Sequence, residues 1–250
     1  MDPAVLRDDM VDSLEHEAKR CVRSASVSVA MRAVPREAFL DDERSAYADR
    51  SFERHGTRVL APSMAARLVE ALAPEPGNEV LVVGAGIGYT AAVCAELAGA
   101  RHVHAVDIDR RLVYEARANL AEAGYDEVLV DCRDGAEGLP EYAPYDRVLV
   151  EAAAIEPPRQ LLRQLVPDGR LVVPLGGGEQ TLTVVSPDGG GFETVERLGT
   201  TAFAPMLVEG EQATTVERNR TVREDREHAR RAAERRKGWE QEWIDWDRKL

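Results

Sequence analysis

The sequence predicts an α/β protein built on a seven-stranded, mostly parallel sheet with helices on both faces. Three observations predict it. From Glu79 to Leu175, short apolar runs rich in valine alternate with helical patterns, and such alternation folds as a parallel sheet between helical layers. Glycines at positions 84, 86 and 88 separate the first strand from the first helix of that series. After the fifth strand, RLVVPLG, the runs QTLTVVS and TTAFAPMLV supply a sixth and a seventh. A chain of 250 residues has room for one such domain with additions, or for two small ones, and its core needs no disulfide or metal to hold it.

Ahead of the sheet, residues 4–33 read as helices, with Val5, Met10, Val11 and Leu14 at near-helical spacing. Pro35 ends or bends that segment. The stretch VPREAFLDDERSAYADRSFERHGTRVLAPSM carries few regular signals, as a substrate wall or cover in front of a site often does. Pro62 is placed to start a helix whose buried face is Leu68, Val69 and Leu72, and Pro74 and Pro76 stop it after Ala73.

Glu79–Val83 is the first strand of the sheet, and Tyr89–Leu97 opens its helix. Between them, bare glycine backbone lets a ligand come close, and the helix N-terminus offers free N–H groups. A dinucleotide fingerprint, G-x-G-x-x-G, would need glycine at position 89; Tyr89 stands there. The G-x-G-x-G spacing instead fits enzymes that use S-adenosylmethionine (SAM). HVHAVDID is the second strand. Asp107 ends it, where a carboxylate can accept both hydroxyls of a ribose. The alternative for Asp107 is to cap the next helix, RRLVYEARANLAEAG, a job that Asp109 can do as well. That helix buries Leu112, Ala116 and Leu120 and stops at Gly124.

EVLVDCRDG is the third strand, with Asp134 and Gly135 just past it. YDRVLVEAAA is the fourth, with Glu151 at its end. PPRQLLRQLVPDG reads as the following helix, with proline at its start and glycine after its end. All the flagged residues lie at strand C-terminal ends, where sheets of this kind bind ligands.

The formal net charge is −13, and lysine occurs only at Lys19, Lys237 and Lys249. Such a surface suits a salty cytoplasm that screens its self-repulsion; an arginine-rich genome would leave the same mark. The acidity argues against a general nucleic-acid binder. Cys21, Cys94 and Cys132 have no metal-ligand spacing and read as buried thiols of a reducing compartment. The first residues do not form a signal peptide, and no run reaches the ~18 apolar residues of a membrane span. The expectation is a soluble, cytoplasmic protein. Residues 211–250 form a charged helical tail with an i,i+4 pair, Glu227 and Arg231. Trp239, Trp243 and Trp246 share one of its faces, either docked on the chain's own body or offered to a second copy or partner.

The segments VPREAF, YADR, HGTRVLAPSMAARLVEAL, VLVVGAGIGYTAAVCAEL, DGAEGLPEYAPYDRVLVEAAA, LLRQLVPDGRLVVPLG and AFAPM, in that order, resemble protein-L-isoaspartate O-methyltransferases over roughly residues 5–208. GLPEYAPYDR and the proline-bearing segment before the first strand are the most specific. The resemblance implies a SAM-dependent carboxyl methyltransferase that acts on isoaspartyl residues of aged proteins. It also implies a methyltransferase domain over residues 1–210: a helical, substrate-side part (1–73), a SAM-binding core (79–175) and C-terminal strands (176–210). By position, Gly84, Ala85, Gly86 and Gly88 would wrap the methionine end of SAM. Asp107 would hold the ribose, Asp134 and Gly135 would meet the adenine, and Val83, Tyr89, Ile108 and Glu151 would complete the cofactor contacts. Ala152 and AFAPM would line the substrate side.

The chain departs from the family pattern in three places. RVLAPSM stands where T-I-S-A-P-H-M is usual, so Leu60 occupies the place of the active-site serine and Ser63 that of the histidine. Thr57 and Ser63 are the nearest alternative hydroxyls. Val82 replaces a common acid, and Glu151 a small or hydroxyl residue. A negative Glu151 facing the pocket would oppose an anionic acceptor. A methyltransferase of the same fold with another acceptor, or a SAM- or partner-binding module, are the rival readings.

Overall fold

Pro3 and Pro62 each open a helix, where proline's missing N–H is no loss. The computed structural model describes residues 2–189 and 191–207, without the side chains of residues 43 and 44. Residues up to Met206 form one compact unit. The helix expected over 211–250, with Glu227, Arg231 and the three tryptophans, lies outside the described residues.

The N-terminal helices are α1 (Pro3–Glu15) and α2 (Ala25–Ala33), followed by one short turn of helix, α3 (Glu43–Ala46). Ser24 caps α2, its hydroxyl accepting from the Val27 N–H at 3.3 Å. A two-stranded hairpin, β1 (Phe52–Arg54) and β2 (Thr57–Val59), precedes α4 (Pro62–Leu72). The sheet then builds from β3 (Val80–Val83), β4 (Val103–Asp107), β5 (Leu129–Cys132), β6 (Tyr145–Val150), β7 (Leu165–Leu175), β8 (Gln180–Asp188) and β9 (Gly191–Thr201). Helices α5 (Tyr89–Ala98), α6 (Arg110–Glu122) and α7 (Arg159–Arg163) join its parallel strands.

The strand order is β5-β4-β3-β6-β7-β8-β9, parallel through β7 and antiparallel beyond. The chain leaves β3 first toward β4 and β5, then crosses back to β6 on the other side. That reversal opens a crevice at the C-terminal end of β3. Both faces of β3 are buried, and it is a run of four apolar residues, the composition a central parallel strand requires. Val82 is fully buried in the larger core cluster, beside α4 and α5 residues.

Two expected elements are corrected. The seventh strand is Gly191–Thr201, not TTAFAPMLV; of the latter, Thr200 and Thr201 end the strand and Pro205 makes a single bridge, to Ala153. The true strand is an edge exposed along nearly its whole length, so burial imposed no apolar alternation to read. The helix expected through PPRQLLRQLVPDG ends at Arg163, and Leu165 already pairs with Tyr145 in the sheet. Pro167 and Gly169 are poor helix formers, and they fall at the register shift between β6 and β7.

Arginines tie several elements through main-chain carbonyls. Arg147 Nε and Arg170 Nη1 bond Ala73 O (3.1 Å) and Ala71 O (2.9 Å), closing the C-terminal end of α4. Arg117 Nε bonds Val130 O at 2.8 Å, and Arg67 Nη2 bonds Leu198 O at 2.8 Å.

Candidate functional site

The crevice is floored by the glycine turn. Gly84 and Ala85 donate their N–H groups to Val106 O at 2.9 and 3.0 Å, which locks the turn to β4. Gly84, Gly86 and Gly88 all have positive φ, at 83°, 53° and 93°, a conformation open to glycine at no steric cost. Their reasons for being glycine differ. A Cβ on Gly88 would sit 3.2 Å from Leu120 and 3.3 Å from Ala116, so this glycine lets α5 pack against α6. A Cβ on Gly86 would meet only Gly84 O, at 4.0 Å. The space above Gly86 is therefore open, as a ligand cradle must be.

Asp107 stands beside this opening, buried at the end of β4. Its Oδ2 accepts from Gly86 N–H and its Oδ1 from Asp109 N–H, each at 2.9 Å. Burial raises the carboxyl pKa, while these backbone bonds oppose the shift. Asp109, not Asp107, caps α6, accepting from Arg111 N–H at 2.9 Å. The Asp107 carboxylate has acceptor capacity beyond its backbone bonds, which is what ribose hydroxyls would need. Gly135 packs so closely that a Cβ there would lie 2.3 Å from Val83 Cγ1. Asp134 accepts from Ala136 N–H at 2.9 Å, and this turn sets the loop after β5 against the end of β3. Ile108 is partly buried beside it.

The opposite wall is the hairpin. His55 and Gly56 have φ of 50° and 78°, the paired positive values of a tight hairpin turn. Arg54 bonds both Asp41 and Glu115 of α6, and His55 Nε2 lies 3.1 Å from Glu115, so the hairpin is anchored to the cofactor half. Thr57 and Leu60 line the cleft together with Gly86, Tyr89, Thr90 and Glu151. Ser63 is not among the lining residues; its N–H is taken by Asp49 Oδ1 at 3.0 Å, at the start of α4. On the substrate side, Ala153 N–H donates to Ala204 O and Met206 N–H to Ala153 O, both at 2.8 Å. AFAPM is thus held against the EAAA run, through Ala153 and not through Ala152.

Arg36 was not singled out from the sequence. It is fully buried, bonds Ala46 O at 2.8 Å and Leu60 O at 2.7 Å, and lies 4.3 Å over the Tyr89 ring. It fixes the backbone at Leu60 against the start of α5. VPREAF, which also carries Glu37, does not mark this arginine as buried; arginine is almost never fully buried unless paired, and its partners appear only in the fold.

Glu151 follows β6 directly, its N–H on Val83 O at 2.8 Å. Its Oε1 is buried and has no hydrogen-bond partner among the described residues. Burial pushes the carboxyl up to about 8; a hydrogen bond with the Thr90 side chain opposes the shift, and the nearby Asp107 charge adds to it least. The shift favours the neutral form of Glu151 at pH 7, which weakens the expected repulsion of an anionic acceptor. The folded protein holds this proton up to a higher pH than the unfolded chain does. Ionisation consequently costs stability from about pH 4.5 upward until the folded group itself titrates near 8. Glu151→Gln removes the cost. The variant should match wild type near pH 4.5 and gain on it by at most ~1.4 kcal/mol per pH unit up to pH 8, levelling above. Chemical denaturation across that range checks it; a constant difference would mean that Glu151 does not titrate as placed.

The glycine turn, the acid ending the next strand and the parallel sheet with an antiparallel C-terminal pair define a SAM-dependent methyltransferase fold. The sequence profile of the family described as protein-L-isoaspartate(D-aspartate) O-methyltransferase (PCMT) matches residues 7–212. The chain belongs to that family. It is 44% identical over 181 residues to the protein-L-isoaspartate O-methyltransferase of Methanocella arvoryzae, covering 71% of this chain and 96% of that protein. It is 40% identical over 206 residues to the enzyme of that name from Methanosarcina mazei, covering 81% and 83%. The fold matches a crystal structure of a Plasmodium falciparum chain in complex with S-adenosyl-L-homocysteine, with a TM-score of 0.72 at 20% identity, over 80% of this chain and 98% of that one.

Proposed function

We propose that this protein transfers a methyl group from SAM to the free carboxylate of L-isoaspartyl residues in damaged proteins. The observation that carries the reading is the open cradle above Gly86, beside Asp107, which faces the hairpin wall at Leu60 in a single cleft. The cradle would hold the methionine part of SAM and Asp107 its ribose, with Asp134 and Gly135 toward the adenine. SAM would supply an electrophilic methyl on a sulfonium, and the acceptor oxygen takes that methyl as the carbon–sulfur bond breaks.

The chain's own task is positional. An α-carboxylate with a pKa of about 3.5 is already ionised at neutral pH, so no side chain has to remove a proton. Aligning the two reactants in a dry cleft can contribute up to roughly 7–11 kcal/mol. Leu60 excludes water but offers no hydrogen bond; Thr57 is the lining hydroxyl on the same wall. Transfer of labelled methyl from SAM to an isoaspartyl peptide, with the ordinary aspartyl peptide as control, tests the reading. Methylation of the first alone is expected. SAM binding without transfer to it, alongside labelling of some other acceptor in a lysate, would overturn the assignment.

No helix among the described residues is long and apolar enough to cross a membrane. Within this reading the protein works in the cytoplasm, and its charge of −13 is an adaptation to high salt. Its melting temperature should then rise from dilute buffer to molar potassium chloride, as self-repulsion is screened. An unchanged melting temperature would remove the salt-adaptation part. The tail serves self-association or partner docking through Trp239, Trp243 and Trp246. Truncation after Gly210 should leave SAM affinity near normal while changing solution mass or stability, as light scattering and calorimetry would record.

A further inference from the structure

Two departures from the family pattern meet in one cleft. Leu60 brings no hydroxyl where serine is usual, and Glu151 brings a carboxyl group where a small or hydroxyl residue is usual. Both line the same space. The Glu151 backbone is fixed by its bond to Val83 O, and its Cβ lies close against the Gly84 turn. The Thr90 side chain bonds this carboxyl group, but its buried Oε1 has no partner among the described residues, and a buried polar atom without one calls for an explanation. We propose that the Glu151 carboxyl group donates a hydrogen bond to the acceptor carboxylate, supplying the orienting contact that Leu60 cannot. This rests on the carboxylate-acceptor reading above.

The chemistry is complementary. An ionised acceptor carboxylate can only accept, and a neutral carboxyl group has one O–H to give. Bonds from O–H to an ionised oxygen are among the strong ones. The proton stays on Glu151 throughout, since the acceptor is much the stronger acid and the methyl transfer neither takes nor releases a proton at this residue. Burial favours its neutral form, with the Asp107 charge on β4 adding to it against the Thr90 hydrogen bond from α5; the Cys94 thiol on α5 is itself held protonated by burial. Arg36 and Arg58 line the far wall. The cationic cofactor and the anionic acceptor act on Glu151 with opposite signs. Once ionised, Glu151 loses its donor and repels the acceptor.

The experiment is kcat/KM for an isoaspartyl peptide at saturating SAM, from about pH 6.5 to about pH 10, with SAM affinity measured on every variant. Wild type should fall by about tenfold per pH unit once Glu151 ionises. Glu151→Gln, whose amide donates at every pH, should lose that alkaline fall. Glu151→Ala should be about ten- to hundredfold slower at pH 7 with SAM affinity retained, and Leu60→Ser on that background should recover the rate. A wild-type profile flat to pH 10, or Glu151→Ala as fast as wild type at pH 7, would overturn the inference alone. No transfer to the peptide at any pH, with SAM bound, would overturn the acceptor reading and the inference with it.

Discussion

Replacing Gly86 with valine should lower SAM affinity by at least about a hundredfold while leaving the fold in place. Two costs act together. The φ of 53° at this position suits glycine, and a β-branched residue held there stores roughly 1–3 kcal/mol of strain. The side chain would also project into the open space that a glycine here leaves, since a Cβ meets only Gly84 O at 4.0 Å. The protein does not oppose the new atoms; the ligand does. Gly86→Ala separates the two costs, because it brings the strain with a third of the added atoms. Calorimetric titration with SAM and with its demethylated product, beside a melting curve, measures both. Unchanged affinity in the valine variant would mean that the ligand does not approach this turn.

Asp107→Ala should have an effect of similar or greater size. Hydrogen bonds to a charged group contribute ~1.5–3 kcal/mol each, so losing two ribose hydroxyls predicts about a hundredfold to ten-thousandfold weaker binding. The substitution also frees the N–H groups of Gly86 and Asp109, which now share the carboxylate at 2.9 Å each. Part of the loss will therefore be a looser glycine turn. Adenosine binding distinguishes the parts: a ribose role weakens adenosine as well as SAM, whereas a purely structural role lowers stability and spares adenosine in proportion. If SAM affinity survives in a folded variant, the ribose assignment falls.

The cofactor half was legible because its constraints are local. A valine run, alternating glycines and an acid about twenty residues on follow from a buried central strand, a turn at positive φ and a strand end, and β3, the turn at Gly84–Gly88 and Asp107 stand at the expected positions. The acceptor half was not, because its constraints act across the chain. The hairpin at His55-Gly56 looked irregular, although two successive positive φ values are a hairpin's signature. Arg36 acquires meaning only when Ala46 O and Leu60 O are brought to it. The neutral state of Glu151 depends on burial beside Asp107, which no spacing in the sequence encodes. The edge strand β9 escaped for the opposite reason: exposed along nearly its whole length, it is under no constraint that a hydrophobicity pattern could report.

The arginines bound to main-chain carbonyls bear on how this sequence can drift. Arg36 reaches two carbonyls with one rigid fork, and Arg117 sets both Nε and Nη2 on Val130 O. A lysine ammonium is a point charge on a flexible stem and, buried, gives up its proton readily. Exchange of arginine for lysine, nearly neutral on most protein surfaces, is therefore closed at these positions. The near absence of lysine from the sequence is in part a debt to architecture, independent of any habitat or genome that also favours it.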